Sequence, residues 1–215
     1  MPRSWVPLLA RGQVSAPSSF TPLLAGAFAA FAPWQRTVLA LSGAPIPPRR
    51  RPGPRYLLRR LDPSDGPSLA GWDPTLQWIW DTWGTPDSLA RSGCAWGAWG
   101  AWGAFEADRL VSVACTYLRG RDHEDIAVAT APAHRRRGLA AVLAVRLAAD
   151  VRARGRDATW TAPTSNTGSL ALAMALGFRA VRTQTAYWVG GSRNPALPPA
   201  DCGRQGRVKT TAASV

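Results

Sequence analysis

Apolar and polar positions alternate through Arg109-Leu-Val-Ser-Val-Ala-Cys-Thr-Tyr-Leu118, with Leu110, Ser112, Ala114 and Thr116 on one side and Val111, Val113, Cys115 and Tyr117 on the other. A period of two predicts a strand. Residues 119–123 form a turn, and Glu124 to Thr130 returns as a second strand, antiparallel to the first. Pro132 ends it. The period then changes. Leu139, Leu143, Leu147 and Val151 recur every four residues, which predicts a helix from near Gly138 to a C-cap at Gly155. Arg146 and Arg154 bracket Asp150 at the same spacing, so weak ion pairs are expected along another helix face. Asp157 to Ala162 reads as the next strand and carries Trp160. Asn166 is placed to cap a helix that closes at Gly177-Phe178, and Thr185 to Val189 reads as the final strand.

Upstream the pattern is less regular. Tyr56 to Leu61 reads as the first strand of this domain and Asp62-Pro-Ser-Asp65 as a turn. Asp73-Pro74 predicts a helix start in which Leu76, Ile79, Trp80 and Trp83 share a face. Trp78 lies off that face and is a candidate for lining a pocket. Residues 95–105 repeat Ala-Trp-Gly three times before Ala104-Phe105. A period of three cannot hold tryptophan on one face of a strand, so at most one copy fits the strand that begins the sheet. Thr37 to Leu41 could be a strand. Ala44 to Pro54, with five prolines and the Arg49-Arg50-Arg51 run, reads as an extended linker. The organisation expected is a basic, partly disordered extension over 1–54, an α/β domain over 55–190 and a disordered tail over 191–215.

Length and composition narrow the classes. A chain of 215 residues can bury one sizeable core. Three cysteines and two histidines, none at ligand spacing, point away from a disulfide framework and a metal site, so no metal and a cytoplasmic setting are expected. Arg11 interrupts the first apolar stretch, and Leu23 to Ala32 is too short to span a bilayer, so no membrane association is expected. The net charge of +13 is uneven. Residues 1–55 hold seven arginines and no acid, whereas residues 56–190 hold fifteen arginines against twelve acids. The excess lies mostly on the flanks, and no aromatic–basic interleaving accompanies it, so no specific nucleic-acid partner is expected.

Candidate chemistry concentrates at residues 126–140, a buried strand, a loop with three arginines and a glycine, and a helix start. A helix N-terminus offers free backbone N–H groups and a partial positive charge, and glycine allows close backbone approach. The ligand expected there carries phosphate.

The spacing Arg135-x-x-Gly138-x-Ala140 resembles the Arg/Gln-x-x-Gly-x-Gly/Ala signature of the GNAT superfamily of acyl-CoA-dependent N-acyltransferases. Asn166-x-x-Ser169-Leu-Ala and Leu176-Gly177-Phe178 resemble the second family signature, at the expected distance downstream. Trp78 to Gly84, and Leu110 to Thr116 with Glu124-Asp125, look like one bacterial subfamily. The resemblance covers roughly residues 55–190. It implies a GNAT fold, a mixed, mostly antiparallel sheet splayed at its central strand and flanked by helices. It implies acetyl-CoA as co-substrate, with the pyrophosphate held by Arg135, Arg136, Arg137, Gly138, Leu139 and Ala140, and pantetheine along the strand edge at Val128 and Thr130. Asn166 would reach the cofactor arm as well as cap its helix. The reaction implied is acetyl transfer to a primary amine of a small molecule or peptide, with a non-catalytic acyl-CoA-binding domain as the alternative. Oligomeric state stays open. Two family features are missing, since Ala173 stands where many members carry a tyrosine and Ala131 where the subfamily often carries a glutamate. The remaining carboxylates near the site by sequence are Glu124 and Asp125, on opposite faces of one strand, and the possible acids are Tyr117 and Tyr187. The candidates taken are Glu124 as base, from its place at the start of the strand that leads to the loop, and Tyr187 as acid.

Overall fold

The computed structural model describes residues 31–65, 68 and 101–189. The helix expected over 73–83 with Trp78, the first two Ala-Trp-Gly copies and the tail from 191 lie outside the described residues. Strands β1 (Phe31–Ala40), β2 (Leu57–Arg60), β3 (Trp102–Glu106), β4 (Arg109–Arg119), β5 (His123–Thr130), β6 (Asp157–Pro163) and β7 (Arg179–Val189) are accompanied by helices α1 (Leu139–Ala153) and α2 (Thr167–Ala175). The strands form one sheet in the order β2-β3-β4-β5-β6-β1-β7. By compactness the larger unit contains residues 37–183, and the smaller, over the described residues, contains 31–36 and 184–189. Within the smaller unit Gln35 Nε2 donates to Thr185 Oγ1 at 2.9 Å.

Antiparallel pairing runs from β2 through β5. β5 and β6 run parallel, joined through α1, as a crossover connection requires. Side-chain alternation divides the core in two. Ile126 and Val128 of β5 and Ala158, Trp160 and Ala162 of β6 face α1, whose Leu139, Leu143, Leu147 and Val151 are all buried. Each such leucine stabilises the fold by about 1.5–3 kcal/mol through apolar burial. Ala144 and Ala148 complete the buried face and let α1 lie close to the strands. The opposite face gathers Phe105, Leu110, Val113, Cys115, Ala127 and Ala129.

The expected extension does more than lead into the domain. Its Leu39 and Leu41 are 1% and 3% exposed and belong to the core on the α1 side. Leu41 N–H also donates to Ala158 O at 3.0 Å, which seats this segment beside β6. The Thr37–Leu41 strand is therefore part of the sheet, and a domain begun at residue 55 would lack it. The third Ala-Trp-Gly copy opens β3. Trp102 Nε1 donates to Asp150 at 2.8 Å, and Gly103 sits where a Cβ would meet Leu61, Phe105 and Leu110 within 3 Å.

The ion pairs expected along α1 are replaced by longer-range ones. Asp150 binds Arg60 at 2.6 Å, Arg154 turns to Glu124, and Arg146 lies over the Trp102 ring while donating to Leu58 O. A helical i, i+4 pair is worth only a few tenths of a kcal/mol, so these partly buried alternatives win.

Candidate functional site

The β5–β6 ladder holds three pairs, His123↔Asp157, Glu124↔Ala158 and Asp125↔Thr159. Past them β5 runs on to Thr130 and β6 to Pro163 without further pairing to each other. Two parallel strands that separate leave facing backbone N–H and C=O groups available to an extended ligand. Asp125 stands at the vertex, where its carboxylate accepts from Thr159 Oγ1 at 2.9 Å and Thr161 Oγ1 at 3.1 Å.

At the far end of β5 the chain turns through Pro132–His134 and Arg135–Gly138 into α1. Arg136 and Gly138 both adopt left-handed backbone, with φ of 61° and 81°. The first helical bond runs from Val142 N–H to Gly138 O at 3.1 Å, so the N–H groups of Leu139, Ala140 and Ala141 have no acceptor within the helix. Arg135 Nε donates back to Thr130 O at 3.1 Å and ties the loop to its strand. Arg137 reaches Ala133 O at 3.5 Å. Thr130 Oγ1 pairs with Ser112 Oγ at 2.7 Å. Val128 packs on the α1 side of the core, and Leu139 is buried, so only their backbones can serve a ligand. Ala140 is half-buried on the first turn of α1. The residues expected to hold phosphate thus come together around one loop.

Asn166 sits at the start of α2, where its Oδ1 accepts from Ser169 N–H at 3.1 Å. Ser169 Oγ in turn accepts from Trp160 Nε1 at 2.9 Å, which fixes the helix to β6. The capping role expected for Asn166 is present.

Glu124 is placed differently from its expected role. It is fully buried on the α1 side of β5, at the closed end of the ladder. Thr116 Oγ1 donates to Oε2 at 2.8 Å, and Arg154 reaches Oε1 at 3.2 Å and Oε2 at 2.8 Å. Arg156 lies 3.9 Å away. A carboxylate with both oxygens engaged and no exposed surface has no path to an incoming amine, and the geometry gives Glu124 a structural role. Position along the strand says nothing of which helix covers a residue. Tyr187 falls in β7, and its side chain lies outside the described residues.

One participant escaped the sequence. The segment 42–56 passes over the loop, pinned where Ile46 N–H donates to Leu176 O at 2.9 Å, with the Ile46 side chain against Gly177. Arg50 Nη1 then donates to Arg136 O at 2.8 Å. A Cβ on Gly138 would lie 2.6 Å from Arg50 O. Gly138 is thus required by a neighbouring stretch of the same chain as well as by its φ. Downstream, Tyr56 OH lies 3.3 Å from His134 Nδ1, and Arg55 bridges to Glu106 at 2.9 Å. The only sequence signal for this contact was the Arg49–Arg51 run itself, which a Pro-rich setting presents as a linker.

Among the described residues no group of three or more His, Cys, Asp or Glu could hold a metal ion, and no helix is long and apolar enough to cross a membrane.

A sheet with splayed parallel strands, followed by a glycine-bearing basic loop at a helix start, defines an α/β protein with an open strand edge that leads to first-turn N–H groups. A family model described as GNAT acetyltransferase matches residues 97–187. An uncharacterised N-acetyltransferase from Streptomyces virginiae is 39% identical over 145 residues, 67% of this chain and 58% of that protein. A GNAT-family acetyltransferase structure from Novosphingobium aromaticivorans is 25% identical with a TM-score of 0.52, covering 71% of this chain and 62% of that one. An acetyltransferase structure from Salmonella typhimurium, solved with its cofactor acetyl-CoA, shares the fold at 18% identity and TM-score 0.50, covering 68% of this chain and 99% of that one. The chain belongs to the GNAT superfamily. It spans less than two thirds of the Streptomyces and Novosphingobium relatives.

Proposed function

We propose that the chain is an N-acetyltransferase that takes acetyl-CoA as co-substrate and delivers the acetyl group to a primary amine of a small molecule or peptide. The observation that carries this reading is the three-pair β5–β6 ladder opening toward the Gly138 loop. It provides an unpaired strand edge for an amide-bearing arm and, at its end, first-turn N–H groups for a diphosphate. The residues present fit the cofactor. Arg135 holds the loop on Thr130, Gly138 supplies the left-handed turn, and Leu139, Ala140 and Ala141 offer N–H groups. Acetyl-CoA, when bound, supplies an activated thioester carbonyl. The backbone of 126–130 would orient the arm, and Val128 and Thr130 would contribute main-chain groups rather than side chains. Asn166 would act through its hold on α2.

With Glu124 engaged by Thr116 and Arg154, no proton acceptor for the amine is assigned to it. The amine would arrive deprotonated or lose its proton to water, so the rate should rise with pH toward the acceptor's own pKa without a carboxylate limb. The acceptor class stays at primary amines, and a cytoplasmic setting belongs to the same proposal.

Ala173 favours a second reading. The position where many members carry a tyrosine is fully buried here within the core, so no acid can stand there. A domain that binds acyl-CoA without transferring its group would look the same. Incubation with acetyl-CoA and a mixed panel of primary amines, with free thiol measured, separates the two. Amine-dependent thiol release supports transfer, and saturable acetyl-CoA binding with no release for any amine supports the second reading.

A further inference from the structure

Two arginine triplets lie on segments that touch. Arg49, Arg50 and Arg51 are exposed, as are Arg135, Arg136 and Arg137. Among the described residues no carboxylate pairs with any of the six. The contact between the triplets is built from backbone as well as side chain, with Arg50 O seated against Gly138 and Arg50 Nη1 on Arg136 O. The strap is fixed on both sides, by Ile46 on Leu176 and by Tyr56 beside His134. Like charges held together without counter-charge repel. A fold that anchors them there presents a place for an anion of high charge. A diphosphate diester brings about two negative charges, and the loop with its helix start is matched to that group. A phosphomonoester adds roughly 1.5 to 2 more, and its terminal oxygens suit the planar guanidinium fork.

We propose that the Arg49–Arg51 strap is a phosphomonoester subsite that reads the 3′-phosphate of coenzyme A beside the diphosphate loop. Arg49 and Arg51 make the contact, and Arg50 is the positioning residue that ties the strap to the loop. The proposal rests on the acetyl-CoA reading above and adds a discrimination that the loop cannot supply, since the loop meets the same diphosphate in coenzyme A and in dephospho-coenzyme A.

The test is calorimetric titration of the full chain with coenzyme A and with dephospho-coenzyme A, for the wild type and for the Arg49→Gln/Arg51→Gln double variant. Both altered side chains are exposed, and matched melting temperatures establish that the fold is kept. The wild type should prefer coenzyme A by about tenfold or more, as expected from one or two charge-assisted hydrogen bonds. The double variant should bring the ratio near one while dephospho-coenzyme A affinity stays unchanged. Equal wild-type affinities, or a variant that weakens both ligands alike, overturn the subsite and leave the acetyl-CoA reading standing. Failure of both ligands to bind overturns that reading and the subsite with it. Retention on DNA that falls in the double variant while the ligand ratio does not move assigns the strap to nucleic acid, and also overturns the proposal.

Discussion

At the scale of single residues, Glu124, Cys115 and Gly138 have roles set by what surrounds them. Glu124 is held by Thr116 and Arg154 in the sealed end of the sheet. Glu124→Gln should therefore lower stability by about 1.5–3 kcal/mol, the value of hydrogen bonds to a charged group, and leave the rate per folded molecule within about twofold, because catalytic bases carry on the order of a hundredfold or more. Urea denaturation and steady-state assay of the same preparation check both halves. A variant of normal stability and collapsed rate would return Glu124 to the chemistry. Burial pushes the Cys115 thiol up. The unfolded chain ionises that thiol from about pH 8.5, whereas the folded chain keeps it protonated, so its contribution to stability is complete below that pH and falls as pH rises toward the folded value. Unfolding free energies from urea titrations between about pH 7 and about pH 10 should decline more steeply in wild type than in Cys115→Ala, by up to about 1.4 kcal/mol per pH unit. Parallel curves would contradict the burial argument. Gly138→Ala should cost roughly 1–2 kcal/mol from its left-handed backbone alone, and more because Arg50 O fills the space its Cβ needs.

Elements show why some of this was legible in the sequence. The leucine stripe of α1 and the alternation in β4 are dictated by periodicity, and both stand as the pattern predicts. The 135–140 spacing located the loop, since three arginines and a glycine between a strand and a helix leave few other geometries. Pairings between distant segments were hidden. Nothing in Arg154 tells that it leaves Asp150 for Glu124, and the sequence position of Glu124 does not show that the C-terminal end of α1 covers it. The N-cap of α2 was legible because an Asx side chain acts over three residues. Asn166→Ala should cost about 1 kcal/mol, and Asn166→Asp should restore it because the carboxylate can still accept from Ser169 N–H. Thermal melts of the pair check this, and equal loss in both variants would point to a contact other than the cap.

On the scale of the molecule, the segment before residue 57 is both a structural strand and a neighbour of the Gly138 loop. Leu39 and Leu41 are core residues, and each buried leucine truncated to alanine costs about 2–5 kcal/mol. Removing residues 1–50 should therefore abolish cooperative unfolding, as followed by circular dichroism, whereas a domain complete from residue 55 would melt normally. The Pro-rich composition of 44–54 disguised this role, because an extended path without internal hydrogen bonds is also what a strap across a sheet end requires. In the proposed function acetyl-CoA lies along β5 past Asp125 and ends on the loop at Gly138. Amide hydrogen exchange on the full chain, with and without saturating acetyl-CoA, tests it most directly. Slowed exchange over residues 126–130 and 136–141, with 57–60 unchanged, is the result expected. Unchanged exchange across 126–141 in the presence of bound acetyl-CoA would contradict it.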